Sequence, residues 1–114
     1  MSRCMQIDIR LIPFYEKPFI ELFPGTAGML HQVGRPELAE RDVSLYDLID
    51  DVADIHEDPN VVENIRSRLG VHVERLVSLK AQAREHLLAR RLNELDQVLY
   101  LIEDAFEDLE EVLA

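Results

Sequence analysis

Two runs of carboxylates are the residues whose type and spacing could do chemistry. Asp47, Asp50, Asp51 and Asp54 recur at helical spacing in one stretch, and Glu103, Asp104, Glu107 and Asp108 do so in another. Oxygen ligands converging from two such helices hold Mg²⁺ and, with a base to place water, can hydrolyse a phosphate anhydride. On that alternative the protein is a Mg²⁺-dependent all-α nucleotide hydrolase. The same periodicity, however, sets each run opposite an apolar stripe. The preferred reading is therefore two solvated faces, with no metal, no other cofactor and no catalytic residue, and hence not an enzyme.

The remaining reactive residues support no site. His31, His56, His72 and His86 never stand three or four apart, and His72 and His86 are separated by about 21 Å of helix, too far to share an ion. Ser44 is placed to cap a helix, Ser67 and Ser78 fall mid-helix, and Cys4 has no histidine near it in sequence. Pro24-Gly25-Thr26-Ala27-Gly28 lacks the lysine and spacing of a nucleotide cradle and reads as a turn.

Charge narrows the partners. The formal net charge is −11, which opposes binding to nucleic acid or an anionic membrane and favours a protein with a basic surface. The acids are concentrated. Residues 92–114 contain eight and no base, whereas residues 64–91 carry Arg66, Arg68, Arg75, Lys80, Arg84, Arg90 and Arg91 against Glu74 and Glu85. Mimicry of DNA in a basic groove is the lowest-ranked reading, since these acids follow helix turns rather than phosphate spacing. A single cysteine, no signal-like apolar run and no stretch of about 20 apolar residues lead to the expectation of a cytoplasmic protein.

The elements that must position these residues are helical. Leu92, Leu95, Leu99, Ile102, Phe106, Leu109 and Leu113 alternate at spacings of three and four, with Val98, Ala105 and Val112 widening the stripe as a bundle core requires. Asp96, Glu103 and Glu110 flank this seam and are expected to face the basic helix. Upstream, Ser44 to Asp47 has capping-box spacing, which starts a helix at Leu45. Asp58-Pro59 is a second start signal, for a helix from Pro59 to about Arg91 with Val62, Ile65, Leu69, Val73, Leu76, Ala83 and Leu87 inward. Gly70 predicts a bend in it, and Asn93 a cap for the helix that follows.

The N-terminal third is different. Met5, Ile7, Ile9 and Leu11 alternate with polar residues as in a strand with one buried face, which would lie on the helices or pair with another copy in a homodimer. Residues 14–34 read as irregular, broken by Pro18, Pro24, Gly25, Gly28 and Gly34. Pro18 could open one helical turn and Thr26 cap another. Phe14, Tyr15, Phe19 and Phe23 make this segment too aromatic for a solvated loop; it reads first as a lid over the open end of the bundle and second as a docking surface for another protein or an apolar ligand.

The fold expected is a single mostly α domain: an arm and irregular segment over 1–43, then an antiparallel bundle over 44–114 of about three main helices ending in an αα-hairpin. The function expected is that of an accessory, regulatory or adaptor protein. Its contacts would be the aromatic segment (Phe14, Tyr15, Phe19, Phe23 and His31) and the acidic residues Asp104, Glu107, Asp108 and Glu111.

Overall fold

The computed structural model describes residues 4, 5 and 8–114. Among them are six helices and no strand: α1 (Phe19–Leu22), α2 (Pro24–Gln32), α3 (Glu37–Glu40), α4 (Leu45–Glu57), α5 (Glu63–Leu88) and α6 (Leu92–Leu113).

Three long helices carry the bundle, and three short ones precede them. The connection between α5 and α6 covers only residues 89–91, which makes the pair an antiparallel hairpin. Helix α4 also runs antiparallel to α5, because Asp50 meets Lys80 whereas His56, six residues later, lies against Gly70. One apolar core joins them: Leu48, Ile49, Val52 and Ile55 from α4, Ile65, Leu69, Leu76, Leu79 and Ala83 from α5, and Leu95, Val98, Ile102, Ala105, Phe106 and Leu109 from α6. The seam on α6 is therefore used as its periodicity predicts, except at its first position. Leu92 at the hairpin end is exposed, as is Val112 beside the seam, while Leu113 packs against the core. On α5, Val62 is exposed outside the helix, and Leu79 is a core residue that the predicted stripe lacks.

Ser44 starts α4 as expected. The Asp47 amide donates to Ser44 Oγ at 3.1 Å, and the hydroxyl donates in turn to the Asp47 carboxylate at 3.0 Å. Asp58-Pro59 does not start α5. Asp58 instead accepts from the Asn60 amide at 2.9 Å in a turn, and the helix begins four residues after Pro59, at Glu63. Helix α5 runs unbroken through Gly70. A Cβ there would come within 3.1 Å of His56 Nε2, so glycine is the residue that lets α4 end close against α5.

Arg91, not Asn93, stands at the N-cap of α6, and the hairpin turns through a Schellman motif. The Arg91 amide reaches His86 O, the Arg90 amide reaches Leu87 O, and Arg90 sits at φ 56°. The same pair of bonds closes α2, where Gly34 occupies the left-handed position at φ 80°.

The segment 14–34 is largely helical, contrary to the irregular reading. Its prolines open helices rather than break them: Pro18 is the N-cap of α1, and Pro24 is the first residue of α2, where a missing N–H costs nothing. Asp42, itself at φ 50°, accepts from the Phe19 amide at 3.0 Å and caps α1 from a distance. Phe19 and Phe23 stack at 5.2 Å between ring centroids, and Phe23 meets Phe106 edge-on at 6.4 Å. This aromatic column ties α1 and α2 to α6.

The arm forms no strand among the described residues, and Ile7 lies outside them. Leu11 and Tyr15 pack on the core, and the Tyr15 hydroxyl donates to Val43 O at 2.5 Å. A single extended stretch with no neighbouring strand has no ladder to join.

Candidate functional site

A groove of about 710 Å³ runs between the arm, the start of α4 and one side of α6. Its apolar lining includes Leu11, Ile12, Phe14, Leu22, Phe23, Leu99 and Ile102, and its polar edge is Glu16, Glu103, Glu107 and Glu110 with Tyr15, Tyr46 and Tyr100. The arm crosses α6 here because Leu11 and Tyr15 turn inward. The intervening Ile12 and Phe14 are left 77% and 85% exposed. Tyr100 stands opposite them on α6, 62% exposed.

The rim is electrostatically unbalanced. Glu16, Glu103 and Glu107 have no basic side chain within ion-pair distance among the described residues. Partial burial raises the Glu103 carboxyl above its ordinary value, and the charges of Glu107, Asp104 and Asp96 raise it further. Burial likewise pushes the Tyr15 phenol up to about 12, with the Asp42 and Glu103 carboxylates adding to it.

Glu110 has a different task. Its carboxylate accepts from the Gly25 amide at 2.7 Å, the Thr26 amide at 2.8 Å and the Thr26 hydroxyl at 2.9 Å. These donors belong to the first turn of α2, so the positive end of that helix takes an anion from within the chain. Pro24-Gly25-Thr26-Ala27-Gly28 is thus a helix start and not a turn.

Of the contact residues expected from sequence, the fold brings Phe14, Tyr15, Phe23 and Glu107 to the groove. Phe19 is fully buried beneath it. His31 is exposed in the last turn of α2 and does not line it. Asp104, Asp108 and Glu111 lie outside the lining, and Asp108 is held by Arg75 of α5 at 2.7 Å. That pair replaces the expected one, since Glu103 and Glu110 face the groove and α2 rather than the basic helix. Sequence reasoning missed Tyr100. Its signal is a large aromatic beside the seam, one place past Leu99, where the other residues are polar.

The two acidic runs are not brought together. Glu103 and Glu107 line the groove, but none of Asp47, Asp50, Asp51 and Asp54 does. Asp50 is engaged by Lys80 at 2.7 Å, and Lys80 also lies 4.4 Å from the centre of the Tyr46 ring. Asp51 is half-buried; burial raises its carboxyl, Arg35 opposes the rise, and Asp54 and Asp50 add to it. Among the described residues no three His, Cys, Asp or Glu side chains converge as metal ligands. No helix among them is long and apolar enough to cross a membrane. No family model, curated protein or solved structure matches the chain.

Proposed function

We propose that this protein is an accessory or adaptor subunit that acts by binding another protein through a basic surface. The observation that carries the reading is the imbalance on α6: eight acids, of which Asp108 is paired to Arg75 and Glu110 is bonded to α2. Asp104, Glu107 and Glu111 remain exposed with no basic side chain in reach among the described residues. Like charges one helix turn apart repel each other, and a cationic partner relieves that repulsion. Complementary charge of this kind mainly speeds encounter and selects partners, which suits an accessory role.

Affinity capture from cell extract, followed by titration of the purified partner, tests the reading. Asp104→Lys, Glu107→Lys and Glu111→Lys together should weaken binding at least tenfold, and raising salt from 0.05 to 0.5 M should weaken the wild type as screening sets in, with a Debye length of about 3 Å at 1 M against 10 Å at 0.1 M. A partner bound equally by the reversed variant overturns it.

A further inference from the structure

The groove asks two things of an occupant at once. Ile12, Phe14 and Tyr100 offer apolar surface that the chain leaves in water, and Glu103 and Glu107 beside them offer charge that it leaves unneutralised among the described residues. Along α6 the lining runs from Leu99 to Glu110, a length of about 16 Å at the helical rise. That length suits three turns of a helix or five to six extended residues and exceeds what a small metabolite needs.

We propose that the groove binds a cationic amphipathic peptide segment of a partner protein, its apolar side chains on Ile12, Phe14 and Tyr100 and its lysines or arginines on Glu103 and Glu107. The inference rests on the interaction reading above and places it at one site. A second copy of this chain is the poorer occupant: in a symmetric contact through this face each copy would set Glu16, Glu103 and Glu107 against the same residues of the other. The chain's own cations toward the hairpin do not serve the groove, since Arg84 of α5 and Arg90 and Arg91 of the turn do not line it, and Arg91 is paired with Glu85 at 3.4 Å. Anionic ligands are repelled by the rim. A cation beside Glu103 stabilises its ionised form, so binding releases a proton as pH falls toward the carboxyl's raised pKa.

The test uses a labelled 15-residue peptide with leucines at heptad spacing and lysines elsewhere, followed by fluorescence anisotropy on the full chain. Glu103→Gln with Glu107→Gln should weaken binding about tenfold, as should Phe14→Ser or Tyr100→Ser, in line with the loss of a hot-spot contact. Asp54→Asn with Glu57→Gln removes the same charge outside the groove and should change binding less than twofold. Equal losses in both pairs, or equal binding of a peptide with serines for leucines, overturn the groove, because net charge alone then accounts for the affinity. A dimer by sedimentation that Phe14→Ser or Tyr100→Ser dissociates, and that the peptide does not, also overturns it, because a second copy then holds this face. If the probe fails while the captured partner still depends on Asp104 and Glu111, the groove falls and the broader interaction reading stands.

Discussion

Glu110 and Thr26 are 84 residues apart in sequence, yet the Glu110 carboxylate accepts both the amide and the hydroxyl of Thr26, at 2.8 and 2.9 Å. With the Gly25 amide at 2.7 Å, three donors of the first turn of α2 converge on one side chain of α6. A helix of nine residues opened by proline has no side chain of its own at the N-cap to satisfy these amides. The long helix supplies it, and in doing so closes one end of the groove.

Glu110→Gln keeps the shape and one acceptor but removes the charge. It should destabilise the protein by about 1–2 kcal/mol, the range for a charge at a partly buried helix terminus. Glu110→Ala leaves the amides unsatisfied and should cost about 1–3 kcal/mol. Urea denaturation measures both. A glutamine variant as stable as wild type would show that shape, not charge, is what α2 needs.

The two glycines of α2 should respond in opposite ways. A Cβ on Gly25 would lie 2.6 Å from the Ala114 amide nitrogen and 2.7 Å from its Cα, so Gly25→Ala must push the end of α6 away. The expected loss is about 1–3 kcal/mol, typical of overpacking. Gly28 has nothing within 4 Å of such a Cβ and is exposed in mid-helix. Gly28→Ala should therefore gain about 0.5–1 kcal/mol from helix propensity. Thermal melts of the two variants should move to opposite sides of the wild type.

The difference between these positions explains what could be read from the chain in advance. The α5–α6 hairpin and the Ser44 cap depend on residues within a turn or two of each other, so periodicity and cap spacing suffice to find them. Gly25, Gly70 and Asp42 take their roles from residues in other elements, 14 to 89 positions away: Glu110 and Ala114, His56, and the Phe19 amide. A glycine that admits a neighbour is indistinguishable in sequence from one that breaks a helix. For the same reason Pro24 reads as an interruption, though it begins a helix, whereas Pro18 opens the helical turn that its type allows. The groove was half legible. Phe14, Tyr15, Phe23 and Glu107 stand out by type, but Tyr100 and Glu103 join them only once the arm is laid across α6.

Arg90 holds the left-handed position of the hairpin turn at φ 56°, where a residue with a Cβ is strained by about 1–2 kcal/mol. Arg90→Gly should raise stability by about 0.5–1 kcal/mol, the strain relieved being partly offset by the greater freedom of glycine in the unfolded chain. Arg90→Val should lower it, because a β-branched residue fits that conformation worst. Opposite shifts in the urea midpoint, with the slope unchanged, confirm that the turn and not the charge of Arg90 is responsible.

The raised carboxyl of Glu103 ties stability to pH in a direction opposite to the usual salt-bridged acid. Its pKa is higher in the folded protein than the ordinary 4.5, because burial comes first and Glu107, Asp104 and Asp96 add to it. Between those two values the folded state binds more protons than the unfolded one, so this group's contribution is fully present below the ordinary pKa. It is lost as pH rises through the raised one. Removing the titration should therefore matter at neutral pH and not in acid. Glu103→Gln is expected to be more stable than wild type at pH 7, and the gap should close as pH falls to about 4, near the free-glutamate value. Paired urea titrations across that range read the difference directly. A gap that is constant with pH would mean that Glu103 is not perturbed by its neighbours, and the groove would then lack the charge crowding that a cationic segment relieves.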